Sequence, residues 1–590
     1  MEKPSIDNIR ETMSVLHSFE HKIAGSSNER RASEYVMERL QALGFDKIET
    51  MTFSVQGWNP QSCRIQVLKP VDRIIEAFPF PYSRSLKTKG TLTRVNHVVE
   101  YGATNDGGSI GLSSWGPLLY YSPTRTYYRA AKRGLDAVLI TSPDDGDLRK
   151  VVVIESGRQL KFPVISISKE DGDFLSSLLE KGEVELEIDV NIETPSDAES
   201  MNLEVIIEGQ ESPDQEICIG THVDSWFSGA ADNCAPVAII LEIARLLQEH
   251  VQKGGILRRS VRFLFFGAQN GGTEGFYNWS NGSRAYLDKN KKALGKIIAF
   301  LNLSSVGFPK PAQKWMGTTT DLLQFVESLE STSNSTRGFD YYDPPGYGSD
   351  HWFFEISGVP SIYGITFPSH LYQTQKDDLD HLDYKVVQDY AEFMNNALFK
   401  IANAELLPID LITPLERFEV ILSKYSKMKD CPFDMTLQLL RIRDILAKKS
   451  AFKKTLRAIA TSGDKKLLRK ANRFLSTTTY LFNKTIGWLW RFTEPDDIDY
   501  LSRLEMIQDY IALNTSIMSL RGTPVGSLAS EHVDRLESFS DNAYNWMSIH
   551  KPLARLEKER SKIYKLIEKE LDYVSKILTT VENGIKALEN

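Results

Sequence analysis

Between residues 220 and 380 the chain gathers side chains that could do hydrolytic chemistry. "THVDSW" supplies His222 and Asp224, and "GAADNCAP" supplies Asp232 ahead of a strongly apolar segment. "FFGAQNGG" carries two amides, Gln269 and Asn270, where a hydrolase would place carboxylates. "NLSSVG" contributes Ser304, "YGSDHWFF" contributes Ser349, Asp350 and His351, and "SHLYQTQKDDLDHLD" adds His370, Tyr372, Gln373 and Asp377. A lone histidine at a strand end is most often structural. His-x-Asp followed by Asp-Asn is a stronger pattern, because Asp224 can orient the His222 imidazole from behind. Asp232 also stands where a helix N-terminus favours an anion.

These residues need elements to hold them, and the surrounding pattern supplies strand, loop and helix in turn. "EVIIEG", "EICIGTHVD", "SVRFLFFGA" (260–268), "KIIAFLNLSSVG" (296–307) and "VPSIYGI" (359–365) read as strands. The third and fourth are continuous apolar runs, as strands covered on both faces should be. "CAPVAIILEIARLLQEH" (234–250) reads as a helix packed deeply on that sheet, apolar nearly all round. The expectation is a three-layer α/β domain whose polar residues collect at the carboxyl ends of the strands, where such sheets bind ligands.

The same segments, in this order and spacing, resemble the M28 family of zinc exopeptidases. That family includes aminopeptidases, glutamate carboxypeptidase II and a non-enzymatic branch, the transferrin receptor. The resemblance implies an α/β peptidase-like domain in two parts, 1–55 and 201–405. It implies an inserted β-rich region, 56–200, like the protease-associated (apical) domain. It also implies a helical region, 406–590, like the dimerisation domain of the carboxypeptidase and receptor branch.

In active members two zinc ions share a bridging aspartate, and the resemblance puts Asp232 at that position and His222 at a ligand position. Asp224 keeps its place behind the histidine. Gln269 stands at the general-base glutamate, and Asn270, Ser304 and Gln373 stand at three ligand positions elsewhere filled by Glu, Asp and His. Zinc wants about four strong donors, and a neutral amide or hydroxyl is a poor one. An amide cannot take up a proton near neutral pH, so Gln269 cannot serve as a base. The resemblance, with these departures, implies a pseudopeptidase that binds a peptide or protein and needs no cofactor. The alternative is an active aminopeptidase or carboxypeptidase with one weakly held zinc ion. Glu274 and His370 are the candidates to rescue a ligand set. Ser349, Asp350, His351 and Tyr372 are expected along the pocket wall.

The rest of the chain sets bounds. Its 590 residues predict two to four domains. A net charge of -8 and a pI near 5.8 argue against non-specific binding to nucleic acid or anionic membranes. No apolar run reaches the roughly 18 residues of a membrane span, and "MEKPSIDNIRETMSVLHSFEHKIAG" has no signal-like apolar core, so a cytoplasmic location is expected. Cys218 and Cys234 read as core thiols, and Cys63 and Cys431 are scattered singly. The start of the chain reads as two amphipathic helices, the second over 28–45, and then a strand over 48–55. Within 56–200, "GPLLYYSP", "DAVLITSP", "KVVVIES" and "FPVISISKEDGDFL" read as short β-rich pieces around a helix, "TRTYYRAAKRG". Strand signals stop near 405, and helices are expected over 410–490 and 500–550. The last stretch spaces apolar residues at 563, 567, 571, 574, 578, 581, 585 and 588, a helical seam for its own core or for a partner in a homodimer.

Overall fold

A computed structural model describes residues 2–95, 109–115, 121–154, 157–274, 278–330, 338–342, 348–428, 431–486 and 550–589. Two helices open it, α1 (Ile6–His17) and α2 (Ser27–Ala42), each with a serine N-cap that accepts an N–H bond. Strand β1 (Glu49–Ser54) leads into seven strands, β2 (Asn59–Lys69), β3 (Arg73–Pro79), β4 (Leu86–Arg94), β5 (Ile110–Ser114), β6 (Ala137–Thr141), β7 (Val164–Ile167) and β8 (Glu185–Glu193). These seven close into a barrel in the order β2-β3-β7-β6-β5-β4-β8. Helices α3 (Tyr121–Arg133) and α4 (Lys169–Leu179) accompany them. In β8 every second residue is buried, the period-2 signature of a strand with one face on a core.

The chain then returns to the first sheet through β9 (Glu199–Ile207) and β10 (Ser212–His222). There follow α5 (Ala235–Gln252), β11 (Arg259–Phe266), α6 (Asn281–Lys289), β12 (Ile297–Leu303), β13 (Gln313–Thr318) and α7 (Leu323–Glu330). The domain is completed by β14 (Asp340–Tyr342), α8 (His351–Ile356), β15 (Ser361–Phe367) and α9 (Tyr384–Asn403). The eight strands lie in the order β1-β9-β11-β10-β12-β15-β13-β14, with a parallel centre formed by β11, β10, β12 and β15.

Two-sided burial explains the unbroken apolar runs. Ile217, Ile219, Phe263, Phe265, Ala299 and Leu301 point into one core, shared with α5 and α9. Their alternates, Cys218, Leu264, Phe266 and Phe300, point into the other, shared with α6 and α8. Each such side chain stabilises the fold by about 1.5–3 kcal/mol relative to exposure. This is the three-layer arrangement the sequence predicts.

The last described part is helical: α10 (Ile412–Ser426), α11 (Thr436–Ala447), α12 (Lys449–Thr461), α13 (Lys465–Ile486) and α14 (His550–Glu589). All eight seam residues of α14, from Ile563 to Leu588, are buried in the core shared with α11 and α13. The seam is therefore used within the chain. Gly584 lets α13 approach, since a Cβ there would lie 1.9 Å from the Phe474 ring.

Some expectations change. Of "KVVVIES", residues 150–154 form no strand and 155–156 lie outside the described residues: Val151, Val152 and Ile154 are buried in irregular chain, and Val151 N–H donates to the Gln373 carbonyl at 3.1 Å. A backbone spent on that long-range bond is not available for a ladder. Within "GPLLYYSP", Tyr121–Pro123 begin α3, and 116–120 lie outside the described residues. Of the helices expected over 500–550, all but residue 550 falls outside them too. Strands β13 and β14 carry no clear alternation and escape sequence reading. Cys218 and Cys234 are buried as expected, and burial pushes both thiols up. Among the described residues no helix is long and apolar enough to cross a membrane.

Candidate functional site

The site lies where β10, β11 and β12 end, at the carboxyl edge of the parallel strands. His222 is the last residue of β10 and is fully buried. Its Nδ1 faces the Asp224 carbonyl at 3.1 Å and Asp224 Oδ1 at 3.4 Å. Its Nε2 faces Ser304 Oγ at 3.2 Å and Asp232 Oδ1 at 3.5 Å. Burial alone would lower the imidazole, but the two carboxylates outweigh it and hold His222 up at about 10. Both ring nitrogens then carry protons, so the ring is a cation between two anions.

Asp224 is held from both sides. Its Oδ1 accepts the Gln269 N–H and its Oδ2 the Asn270 N–H, both at 2.8 Å. Burial opposes ionisation here, yet His222 and these two N–H groups together keep the carboxyl below the usual carboxylate range. The backbone of the amide pair is thus fastened to the residue behind the histidine.

Asp232 sits in a kinked turn, Ala230–Cys234, where its own backbone is non-helical at φ -114° and ψ 75°, and the turn begins after Gly229 in the left-handed region at φ 60°. A Cβ on Gly229 would meet the Asp232 carbonyl oxygen at 2.2 Å, so the tight entry requires glycine. The Asp377 carboxylate caps the turn, accepting N–H bonds from Ala231 at 2.7 Å and Asp232 at 2.9 Å. Burial raises the Asp377 carboxyl to about 7 against these bonds. Ser305 Oγ donates to Asp232 Oδ1 at 2.9 Å. Asn233 fixes the neighbouring strand ends, donating to Thr221 Oγ1 at 2.6 Å and the His222 carbonyl at 2.7 Å.

The remaining expected positions close on one another. Gln269 Nε2 donates to the Gly348 carbonyl at 3.2 Å. Gln373 Nε2 donates to Asn270 Oδ1 at 3.4 Å and to the Tyr372 hydroxyl at 3.2 Å. Ser304 reaches His222, as noted. The structure therefore brings His222, Asp224, Asp232, Gln269, Asn270, Ser304 and Gln373 together.

It does not bring the rescue candidates there. Glu274 and His370 are both exposed on loops, because the 271–274 and 368–370 segments carry them outward to solvent. Ser349, Asp350 and His351 are fully buried behind the site. His351 stacks on Tyr363 with ring centroids 3.8 Å apart and faces Asn302 Oδ1 at 3.3 Å. Burial raises the Asp350 carboxyl to about 6. Ser305 and Asn233 are the site residues that sequence reading missed. Their only signal is adjacency, in "DN" and "SS", to residues already singled out.

Zinc does not fit this donor set. His222 and Asp232 are strong donors, but Gln269, Asn270, Ser304 and Gln373 are neutral amides and a hydroxyl, which are poor zinc donors. Among the described residues no three His, Cys, Asp or Glu side chains are grouped so as to hold a metal ion.

The sheet order and the position of the cluster define a three-layer α/β domain with its polar cluster at the carboxyl edge of the parallel strands. Residues 202–398 match the sequence model described as peptidase family M28. Aminopeptidase YwaD of Bacillus subtilis (strain 168) is 26% identical over 314 residues, covering 51% of this chain and 64% of that protein. Transferrin receptor protein 2 of Homo sapiens is 25% identical over 235 residues, covering 35% of this chain and 28% of the receptor. The chain thus spans less than two thirds of the length of these relatives. The crystal structure of BSAP, a zinc aminopeptidase from Bacillus subtilis, shares the fold at a TM-score of 0.56 and 21% identity. That likeness covers 70% of this chain and 98% of BSAP.

Proposed function

We propose that this M28-fold protein is a pseudopeptidase, which binds a peptide or protein at the former catalytic edge without zinc-dependent hydrolysis. The observation that carries the reading is the bond between Gln373 Nε2 and Asn270 Oδ1. Two positions that would face a common metal instead bond to each other. Three neutral ligand positions also remove the carboxylate repulsion that cations would otherwise relieve, and His222 offsets part of the charge of Asp224 and Asp232.

The barrel is assigned as a protease-associated-like domain. The helical region is assigned to homodimer formation, with exposed Val420, Leu437 and Leu440 as its apolar contributors because the α14 seam is already buried. A cytoplasmic location and no binding to nucleic acid or membrane complete the proposal. The experiment is zinc content of the purified protein together with peptide turnover in added zinc or cobalt. The expected result is no stoichiometric metal and no turnover. Stoichiometric metal with chelator-sensitive turnover refutes it in favour of an exopeptidase with a reduced metal site. The reversion Gln269→Glu, Asn270→Glu, Ser304→Asp and Gln373→His should recover zinc binding if only the ligands were lost.

A further inference from the structure

The barrel covers the candidate edge from two sides. Tyr82, just after β3, takes the Gly272 N–H on its hydroxyl at 2.5 Å, and Gln56 donates its N–H to the Gly272 carbonyl at 2.6 Å. A Cβ on Gly271 would lie 2.5 Å from that hydroxyl, so the loop carrying Gln269 and Asn270 runs directly beneath Tyr82. On the other side a strap, residues 144–151 between β6 and β7, lies against the loop carrying Gln373. Val151 N–H donates to the Gln373 carbonyl at 3.1 Å, and Arg149 N–H to Gln375 Oε1 at 2.9 Å. Gln375 Nε2 donates back to the Asp147 carbonyl. Beneath this cover Asp232, Gln269 and Asn270 are 5%, 7% and 8% exposed, so a ligand cannot reach them without an opening.

The strap is tied to the barrel. Lys150 pairs with Asp144 at 3.1 Å, Arg149 with Glu76 on β3 at 3.1 Å, and Gly146 N–H donates to Glu170 Oε1 on α4 at 2.9 Å. Toward the sheet domain it presents one apolar side chain. Leu148, 4% exposed, packs with Ala231, Phe308, Ala312 and Leu371, and Tyr372 lies against the same cluster. Ala231 adjoins Asp232 and Tyr372 adjoins Gln373, so Leu148 fills an uncharged seat between two parts of the candidate edge. An attachment of one apolar side chain and a few hydrogen bonds opens at low cost compared with the sheet it covers.

We propose that the strap is a latch: Leu148 closes the candidate edge, and the seat it leaves on opening takes the apolar side chain of an extended peptide. Leu148 itself shows the chemistry the seat accepts, an aliphatic side chain flanked by N–H groups that bond the Gln373 carbonyl and the Gln375 amide oxygen. An incoming peptide competes with the strap, and its apparent affinity falls by the fraction of molecules that are closed. That a peptide enters here rests on the peptide-binding reading of this edge; the latch itself does not.

Two measurements on the full chain separate the latch from that reading. Hydrogen exchange is followed for the wild type and Leu148→Ala without any ligand. The Arg149 and Val151 amides should exchange at least about tenfold faster in the variant, while amides of β10 and β12 keep their wild-type rates. Equal rates at the strap, or a rise spread evenly over the central strands, overturn the latch. If Leu148→Ala fails to fold, Gln375→Ala, which removes both side-chain bonds to the strap, takes its place. Fluorescence polarisation then reads binding of a labelled synthetic peptide of the strap sequence, DDGDLRKV. It should bind Leu148→Ala at least about tenfold more tightly than the wild type, whose tethered strap holds the seat at high effective concentration. The same peptide with glycine in place of leucine should not bind, and equal binding of the two peptides overturns the seat. Fast strap exchange with no binding of DDGDLRKV establishes the latch and refutes both peptide entry and the reading it rests on.

Discussion

Asp224 offers the sharpest measurement on the candidate site. In the substitution Asp224→Asn the side chain keeps its shape but loses its charge and one acceptor. The native carboxylate accepts two N–H groups at 2.8 Å, one on each oxygen, and faces protonated His222 at 3.4 Å. An asparagine can accept only one of those N–H groups. Its own amide would point a donor at the other, leaving a buried N–H unpaired at about 1–3 kcal/mol. His222 would retain only Asp232, and breaking a buried charge pair costs about 3–5 kcal/mol. The two effects overlap, so a total loss of about 3–5 kcal/mol is expected. For a domain of this size that lowers the melting temperature by about 10 °C. The assay is thermal denaturation of the chelator-treated protein, which removes any metal contribution. The double variant Asp224→Asn/His222→Gln should be less damaged than the sum of the singles, by about 1–3 kcal/mol of coupling. A shift below 1 °C, or strict additivity, refutes the claim that a charge pair, and not a metal, organises this strand edge.

Three further outcomes are expected. Gly584→Ala drives a methyl into the Phe474 ring and should destabilise the helical region by about 1–3 kcal/mol, an effect that Phe474→Leu should partly relieve. This is read by thermal melting monitored through helical circular dichroism. Tyr82→Phe removes the acceptor for the Gly272 N–H, now 2.5 Å from the hydroxyl, and should cost about 1–3 kcal/mol. It should also change the emission of Trp58, whose ring centroid lies 6.2 Å from that of Tyr82. All four cysteines are free thiols. Burial pushes Cys63 up to about 12, and raises Cys218, Cys234 and Cys431 too, so the thiolate fraction at pH 8 is small. Titration with a chromogenic disulfide should be slow in the native protein and reach four thiols per chain after unfolding.

The central sheet was legible in the sequence because burial on both faces erases alternation, leaving runs such as "SVRFLFFGA" that only a covered parallel strand explains. The seam of α14 was legible through its spacing of three and four. The bonds of Val151 and the roles of Ser305 and Asn233 were not, since each depends on a partner far away in sequence. The resemblance singled out His222, Asp232, Gln269, Asn270, Ser304 and Gln373. What it could not supply was the bonding among them, above all that Asn270 and Gln373 meet and that Glu274 and His370 turn outward.

The pairing of β1 with β9 bears on how the molecule folds. Ser54 and Glu199 are register partners, although about 145 residues separate them in the chain. Closing a flexible loop of that length costs about 4 kcal/mol in chain entropy. The barrel that fills the interval closes its own ring through β2 and β8, with Asn59 opposite Glu193. Once it has formed, only about ten residues remain between the two strand ends, and the cost falls to about 2 kcal/mol. The insertion can therefore act as a folding clamp, delivering β1 to the sheet edge as a nearly local hairpin.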